Sequence, residues 1–281
     1  MSKNNPKTEL YPAAMTVAGS DSGGGAGIEA DLRTFNAYGV YGCAALTAVT
    51  SQNPAEVRRI DAIPAEGVRC QIETVLDRIP VRAVKSGMLF NAAIVEAVAE
   101  VVKQRKLMLV CDPVMVSTSG AALLEKEAVA KVRELLLPVA AWITPNLPEA
   151  ELLLGRELKT ADQFADAAKE CFDRWGAAVL LKTGHALSGK FVTDFVCREG
   201  KIYTLSAPRV PENGASHGTG CTLSSALAAG FALEMPWKQA VCEAKAFVTG
   251  SLRESVPIAP DLNAMYPPVE DHINTVRLEK R

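Results

Sequence analysis

The segment 217–230, His-Gly-Thr-Gly-Cys-Thr-Leu-Ser-Ser-Ala-Leu-Ala-Ala-Gly, joins a flexible turn to the start of an apolar helix. Gly218, Thr219 and Gly220 form the turn, and Cys221 lies in the first turn of the predicted helix. The first N–H groups of a helix have no partner within it, and the helix dipole places partial positive charge at the same end. Such a position attracts a phosphate group or an anion that develops during a reaction. The segment therefore indicates phosphoryl chemistry, with Cys221 as the candidate base.

Cys221 itself has two interpretations. A cysteine that begins an apolar helix is usually a small buried hydrophobic residue. At a helix N-terminus, however, the pKa of a thiol can be lowered, so that it accepts a proton near neutral pH. The turn that precedes Cys221 leaves both interpretations open.

Charged side chains follow other predicted strands. Asp112 comes directly after the apolar run 107–111, and Lys182 ends the run 177–182. Glu149 lies in the first turn of a helix that follows Asn146. Mg²⁺ typically takes one or two carboxylates, which makes Asp112 and Glu149 candidate ligands, although Glu149 could simply stabilise its own helix. Lys182 can contact a nucleotide phosphate as a point charge.

Three further residues at strand ends are weaker candidates. The amide of Gln52 can donate and accept hydrogen bonds toward a heteroaromatic ring, but it could equally lie in solvent. Met88 can pack on a flat ring or belong to the core. His185 is one of only three histidines, which disfavours a histidine-based metal site, and we expect a surface or structural role for it.

The glycine-rich segment 19–31 allows tight turns and close approach of a ligand. Within it, residues 25–30 match the dinucleotide pattern G-x-G-x-x-A. A dinucleotide site needs an acidic residue about 20 positions later, and there is no Asp or Glu between Leu32 and Ala55. A substrate-contacting loop, with Asp31 projecting from the first helix, is the preferred interpretation; a loop that only turns the chain is the alternative.

The elements that must position these residues alternate between strand and helix. The predicted strands cover 13–19, 41–50, 81–84, 107–111, 141–144 and 177–182, followed by a hairpin over 191–198 and 201–207. The predicted helices cover 26–38, 65–79, 91–105, 121–137, 148–154, 161–175, 220–233 and 237–252, after which Pro257, Pro260, Pro267 and Pro268 break regular structure. This alternation predicts an α/β fold with a doubly wound, mostly parallel sheet and helices on both faces. In such a fold ligands bind beyond the carboxyl ends of the strands, where the candidate residues cluster.

Composition excludes several classes of protein. The chain has 281 residues, of which 48% are apolar, and a net charge of −2, which disfavours binding to nucleic acid or to an anionic membrane. No apolar run approaches the length of a membrane span, and the polar segment 1–12 predicts a disordered lead-in to a single domain at 13–281. The seven cysteines are odd in number and lack C-x-x-C spacing, which indicates a reducing cytoplasm. The P-loop, G-x-S-x-G and H-E-x-x-H motifs are absent.

Seven segments in this order resemble the ribokinase-like kinases, and within them the vitamin kinases that phosphorylate hydroxymethylpyrimidine and its monophosphate. The resemblance runs from about residue 13 to about residue 251. The segments that carry it are 16–31, 41–43 together with 52–53, 85–88, 112–115, 144–150, 182–185 and 217–222.

The resemblance implies a three-layer α/β/α fold, Mg²⁺, ATP as co-substrate and a homodimer. It implies two successive phosphoryl transfers to a pyrimidine of thiamine biosynthesis, with a pyridoxal or pyridoxine kinase as the alternative. It places Ala18, Asp31, Gln52, Met88 and Val114 around the substrate, with Cys221 beside them. It assigns Asp112, Asn146 and Glu149 to Mg²⁺ and phosphates, Lys182 and Thr183 to the nucleotide, and Gly218, Thr219, Gly220 and Cys221 to an anion hole.

One departure from the wider superfamily concerns the base, because sugar kinases of this fold usually carry Asp where this chain has Cys221. A phosphate acceptor is already an anion and needs no base, so Cys221 should matter less in the second transfer. Two hypotheses from other classes remain, an NAD-linked oxidoreductase that uses the glycine loop and a catalytically silent small-molecule sensor.

Overall fold

The computed structural model describes residues 10–115, 123–184 and 186–281. Within these ranges the strands are β1 (Ala13–Asp21), β2 (Tyr41–Asn53), β3 (Glu56–Ala62), β4 (Val81–Ser86), β5 (Leu109–Cys111), β6 (Trp142–Ile143), β7 (Ala178–Leu181), β8 (Phe191–Arg198), β9 (Lys201–Pro208), β10 (Val256–Ala259), β11 (Leu262–Ala264) and β12 (Arg277–Lys280). The α-helices are α1 (Gly27–Ala37), α2 (Ala65–Leu76), α3 (Ala92–Arg105), α4 (Lys126–Lys131), α5 (Leu147–Leu154), α6 (Ala161–Trp175), α7 (Thr219–Ala232) and α8 (Trp237–Arg253).

The main sheet has a parallel centre and antiparallel edges. Its strand order is β12-β9-β8-β7-β6-β5-β4-β1-β2-β3. The strands from β2 to β7 in this order pair in parallel, whereas β3 and the strands β8, β9 and β12 pair antiparallel. The predicted doubly wound, mostly parallel sheet is confirmed.

Two apolar layers pack on the sheet because successive side chains of a strand point to opposite faces. In β5, Leu109 and Cys111 contact the layer of α2 to α6, whereas Val110 contacts the layer of α1, α7 and α8. Ile143 and Trp142 of β6 divide between the two layers in the same way. A strand buried on both faces reads as a continuous apolar run, which is why these short strands were predictable.

Strand β3 was not predicted from the sequence, and its composition explains why. Glu56, Arg58, Arg59 and Asp61 leave few apolar residues in this strand, whose side chains are half-buried or exposed. β3 pairs with β2 on one side only, and charged side chains are common on such edges. This strand forms because its backbone pairs with β2 at the edge of the sheet, not because one of its faces is buried.

The segment after residue 255 was predicted to be irregular, and that expectation is wrong. Pro257 lies in β10, which pairs only with β11 and so tolerates a residue without an N–H group. The chain then returns to the main sheet, where β12 pairs with β9. The lead-in at 1–12 and the single domain at 13–281 remain predictions, and residues 1–9 lie outside the described ranges.

The helix predicted at 121–137 is only partly described, because residues 116–122 lie outside the described ranges. Helix α4 covers Lys126–Lys131 and continues as a π-helical turn at Val132–Leu136 and a 3₁₀ turn at Leu137–Val139. Among all the helices described, none has the length and apolar character needed to cross a bilayer.

Candidate active site

A cavity of about 190 Å³ lies beyond the carboxyl ends of β1, β2 and β4. We call it the acceptor cavity. It brings together twelve of the predicted site residues: Ala18, Gln52, Met88, Asp112, Val114, Asn146, Glu149, Lys182, Gly218, Thr219, Gly220 and Cys221. The expectation that ligands bind beyond the carboxyl ends of the strands therefore correctly predicted that residues from seven separate parts of the chain lie together.

The first turn of α7 forms one wall of the acceptor cavity, and two glycines allow it to do so. Gly218 has a φ of +84°, and a Cβ atom there would lie 1.9 Å from the carbonyl oxygen of Gly25. A Cβ atom on Gly220 would lie 3.1 Å from Nζ of Lys182. Any larger residue would separate the helix N-terminus from the glycine loop or from the lysine. The predicted turn thus places the first N–H groups of α7 against the cavity.

Lys182 and Asp112 form the main ion pair of the acceptor cavity. Nζ of Lys182 donates to Oδ1 of Asp112 over 2.6 Å, and Oγ1 of Thr144 donates to the same oxygen over 3.0 Å. Burial alone would raise the pKa of Asp112, but the ammonium groups of Lys182 and Lys85 hold it below its usual range. Burial would likewise lower the pKa of Lys182, but Asp112 and Glu149 raise it above its ordinary value. Both groups therefore stay charged at neutral pH.

Asn146 and Glu149 have a structural role that sequence reasoning left open. Oδ1 of Asn146 accepts the N–H of Glu149, and Oε2 of Glu149 accepts the N–H of Asn146, which makes a capping box at the start of α5. The Glu149 side chain is almost entirely buried. Burial raises the pKa of its carboxyl to about 7, with Lys182 opposing and Asp112 adding to the shift. The box fixes both side chains on the cavity wall.

These residues match the chemistry of a magnesium site. Asp112, Glu149 and Asn146 offer only oxygen atoms as ligands, which is the donor type that Mg²⁺ prefers. Burial is the main cause of the raised pKa of Glu149, and repulsion from Asp112 adds to it; a divalent cation would relieve that repulsion. The donor set therefore fits the predicted metal.

Cys221 faces the acceptor cavity and is half-buried. Burial raises the pKa of its thiol to about 11, although the Lys85 ammonium opposes the shift and the N–H of Gly27 donates to the sulfur. The expectation that the helix N-terminus lowers this pKa is wrong, because removal of the thiol from water outweighs the favourable charges. In this structure Cys221 is a neutral thiol at pH 7.

Two of the residues assigned to ligands do not line the acceptor cavity. Asp31 is completely buried behind it, where its carboxylate pairs with Lys85. Thr183 points away from it, since Oγ1 donates to the carbonyl oxygen of Thr193 and the backbone N–H donates to Asp194. The expected projection of Asp31 toward the substrate is wrong, because the sequence does not reveal which face of α1 meets the cavity, whereas the assignment of Thr183 to the nucleotide stays a prediction.

Asp21 and His217 are functional candidates that sequence reasoning did not assign. Nε2 of His217 and Oδ2 of Asp21 lie 2.8 Å apart, so the hydrogen bond joins the glycine loop to the turn before α7. Burial would raise the pKa of Asp21, but hydrogen bonds from His217 and Gln52 lower it to about 2. The position of Asp21 at the end of β1 was the available signal.

The same carboxylate excludes the dinucleotide interpretation of the glycine loop. Asp21 accepts the N–H groups of Gly23, Gly25 and Ala26 over 2.8, 3.1 and 2.9 Å. In a dinucleotide site such amides would bind the pyrophosphate. Because an internal carboxylate already takes them, this loop is not an anion-binding loop.

A second cavity, of about 410 Å³, adjoins the first, and we call it the outer cavity. Its apolar walls come from Val192, Ala207, Val210, Leu223, Val248 and Leu252. A buried ion pair also lines it, in which Nζ of Lys245 donates to Oδ2 of Asp194 over 2.6 Å. Lys182, Thr219 and Gly220 line both cavities, so the two meet at the first turn of α7. His185, which follows this region, lies outside the described ranges.

The raised pKa of Glu149 predicts a pH-dependent stability. The folded protein holds this proton up to about pH 7, whereas the ordinary pKa of a glutamate carboxyl is 4.5, so stability falls as pH rises between these values. Glu149→Gln removes this titration and keeps an oxygen for the capping box. Relative to wild type, the variant should therefore gain about 2–3 kcal/mol in free energy of unfolding between pH 5 and pH 8. Urea unfolding in the presence of EDTA measures this difference.

Glu151→Gln on the same helix is the matched control, since Glu151 is only partly buried. The difference in free energy of unfolding between Glu151→Gln and wild type should stay constant over the same pH range. A constant difference for Glu149→Gln as well would contradict the assignment.

Comparison with known proteins identifies relatives over almost the whole chain. The sequence profile of the phosphomethylpyrimidine kinase family matches residues 21–265. A hydroxymethylpyrimidine/phosphomethylpyrimidine kinase from Synechococcus elongatus is 43% identical over 249 residues, which cover 88% of this chain and 94% of that protein. A thiamine biosynthesis bifunctional protein from Geobacter sulfurreducens is 41% identical over 247 residues, and the chain spans 50% of its length.

Solved structures of vitamin kinases share the fold. The pyridoxal kinase from Staphylococcus aureus in complex with AMP-PCP and pyridoxal has a TM-score of 0.87 and 30% identity, covering 97% of this chain and 100% of that one. The phosphomethylpyrimidine kinase from Clostridium difficile has a TM-score of 0.74 and 37% identity, covering 84% of this chain and 97% of that one. The fold is therefore ribokinase-like, and the chain belongs to the phosphomethylpyrimidine kinase family.

Proposed function

We propose that the protein transfers the γ-phosphoryl group of ATP to the hydroxymethyl group of 4-amino-5-hydroxymethyl-2-methylpyrimidine, and then phosphorylates that product again to the diphosphate. The observation that carries this proposal is the junction of the two cavities at Lys182, Thr219 and Gly220. A flat ring in the acceptor cavity and a nucleotide in the outer cavity would meet there. Family membership supports the same reaction.

The acceptor cavity suits a small flat heterocycle. Met88 and Val114 supply apolar surface, and the small side chain of Ala18 leaves room for a ring. Gln52 supplies an amide that can both donate and accept a hydrogen bond toward ring nitrogen or an amino group. Pyridoxal also carries a hydroxymethyl group on a nitrogen heterocycle, and the solved pyridoxal kinases share the fold, so pyridoxal is the alternative acceptor.

The junction supplies positive charge where the transferred phosphoryl group would lie. The Lys182 ammonium lies beside Gly220, and the first N–H groups of α7 point to the same place. Phosphoryl transfer is catalysed mainly by positioning and by neutralisation of charge on the transferred group. When bound, Mg²⁺ would add to this neutralisation, held by Asp112, Glu149 and Asn146.

In the first transfer, the hydroxymethyl oxygen attacks the γ-phosphorus, and the bond from this phosphorus to the oxygen of ADP breaks. The hydroxyl proton passes to Sγ of Cys221, which must have lost its own proton beforehand. In the second transfer, an oxygen of the substrate's phosphate attacks in the same way, and no proton has to leave it. Cys221 is therefore needed for the first transfer alone.

The proposal includes a homodimer in the cytoplasm, as the resemblance and the cysteine content imply. Tyr41 and Val49 are exposed apolar side chains on β2, next to the edge strand β3, and offer a surface for a second copy. Both statements remain predictions.

A panel assay tests the function directly. Coupled ADP release should show turnover with hydroxymethylpyrimidine and with its monophosphate, each dependent on added Mg²⁺, and slower turnover with pyridoxal and pyridoxine. Faster turnover of pyridoxal would replace the assignment by a pyridoxal kinase. If no acceptor led to release of ADP, the proposed function would be wrong and the hypothesis of a catalytically silent small-molecule sensor would be favoured.

Cys221→Ala tests the role of the thiol. The variant should lose about 10²-fold or more in kcat for the first transfer, as expected for a lost proton acceptor, and change by less than about threefold in the second. Single-turnover phosphorylation of each acceptor, followed by chromatography, separates the two steps. Cys242→Ala, at another half-buried cysteine, is the control and should leave both steps unchanged. Equal losses in the two steps for Cys221→Ala would refute the assignment.

Gln52→Leu tests recognition of the ring. The loss of about one hydrogen bond should raise KM for hydroxymethylpyrimidine about tenfold while KM for ATP stays unchanged. Steady-state kinetics with each substrate varied in turn measures this split. Ser51→Ala, at an exposed neighbour in β2, provides the control. Unchanged KM values for both substrates would rule out the contact.

A further inference from the structure

A second buried lysine lines the acceptor cavity and has no part in the proposed phosphate chemistry. Lys85, near the carboxyl end of β4, is completely buried yet contributes to the cavity wall. The packing around it is tight, since a Cβ atom on Gly87 would lie 2.9 Å from its Nζ atom and 3.0 Å from Cβ of Ala18. Lys85 therefore cannot extend into the outer cavity as Lys182 does.

Asp31 fixes the Lys85 ammonium in place. Nζ of Lys85 donates to both carboxylate oxygens of Asp31, over 2.9 and 2.8 Å. Oγ1 of Thr16 and Oγ of Ser225 each donate to Asp31 over 2.6 Å. Burial would lower the pKa of Lys85, but Asp31 raises it above its ordinary value, so the ammonium keeps its charge. Strands β1 and β4 and helices α1 and α7 are all joined at this carboxylate.

A buried ion pair is a weak source of stability, because desolvation of both charges offsets their attraction. A well-packed pair of apolar side chains of similar volume would stabilise the core at least as well. Lys85 lies on the wall of the acceptor cavity with Asp31 directly behind it, and this position calls for an explanation other than stability.

Cys221 and Lys85 both line the acceptor cavity. Ser225 follows Cys221 by one helical turn, so the Asp31 carboxylate holds the same helix that presents the thiol. Four charged groups act on this thiol: Lys85 from β4, Asp31 from α1, Asp112 after β5 and Lys182 after β7. Burial raises the pKa of the thiol, and Lys85 is the strongest group that opposes this, whereas the carboxylates of Asp31 and Asp112 add to the rise by smaller amounts.

We propose that Lys85, held by Asp31, is a positioning residue that stabilises negative charge on Sγ of Cys221 before the first phosphoryl transfer. The proposal rests on the function proposed above. The ammonium favours loss of the thiol proton to solvent, which leaves Sγ able to accept the proton of the hydroxymethyl group. The second transfer uses no proton acceptor and does not need this charge.

The test removes both charges together. The double variant Asp31→Asn with Lys85→Met leaves no unpaired buried charge, whereas either single variant would. In the first transfer kcat should fall about tenfold or more, and the second transfer should change by less than about threefold. Alkylation of Cys221 by iodoacetamide, mapped by mass spectrometry between pH 6 and 10, should slow about tenfold at each pH, because the whole range lies below the pKa of about 11 and that pKa should rise by about one unit. Alkylation needs no substrate, so it is informative even if the proposed acceptor proves wrong.

The chain offers a matched control in its other buried lysine–aspartate pair. The double variant Asp194→Asn with Lys245→Met removes an ion pair of the same type from the outer cavity, and alkylation of Cys221 should keep its wild-type pH profile. An unchanged alkylation profile in the Asp31/Lys85 variant, or equal losses in both transfers, would overturn the proposal. If that variant does not fold, Asp31→Asn with Lys85→Gln retains hydrogen-bonding groups at both positions and must show the same two effects.

Discussion

The close approach of the α7 N-terminus to the glycine loop is the constraint on which the active site depends. Most strands of the sheet lie between Gly25 and Gly218 in the chain, yet the backbones of these two glycines approach so closely that no side chain fits between them. The hydrogen bond between His217 and Asp21 fastens the same two segments. Because these contacts fix the first turn of α7, its N–H groups, Cys221 and the lysine beside Gly220 keep their positions relative to one another. If a side chain at position 218 pushed the N-terminus of α7 away from the glycine loop, the acceptor cavity and the outer cavity would no longer meet.

Charge balance is the second constraint on the cavity. Asp112 and Lys182 compensate each other, as do Asp31 and Lys85, whereas Glu149 forms no ion pair within the described residues. Burial raises the pKa of Glu149 to about 7 against the attraction of Lys182, whereas Lys182 and Lys85 hold the pKa of Asp112 below its usual range. A further cation at the acceptor cavity would stabilise the ionised form of Glu149.

The sequence allowed the central sheet and most of the cavity wall to be predicted, for a physical reason. Apolar runs mark strands buried on both faces, and the polar residues that follow such runs meet at one edge, as Asp112 and Lys182 do. Properties of a residue that depend on a neighbour from a distant segment could not be predicted from the sequence. The direction of Asp31 depends on Lys85, the neutral state of Cys221 depends on how much protein covers it, and β3 depends on pairing rather than on composition. Lys245 stands on the apolar face of α8, and only its partner Asp194 reveals why a charge is tolerated there.

The high pKa of Cys221 is understandable from the two substrates that one cavity has to accept. Sugar kinases of this fold usually carry an aspartate at the corresponding place, and their acceptor is a neutral hydroxyl group. In the function proposed here the second acceptor carries a phosphate group, which would lie next to the same residue. A permanent carboxylate would repel that phosphate in a cavity that already contains Asp112 and Glu149, at a cost that grows as water is excluded. A thiol with a pKa of about 11 is neutral when the phosphate enters, and a nearby ammonium can still favour its ionisation when a neutral alcohol is bound. A group that is uncharged at rest and ionises only to accept a proton is therefore better suited than a permanent carboxylate to a site that performs both transfers.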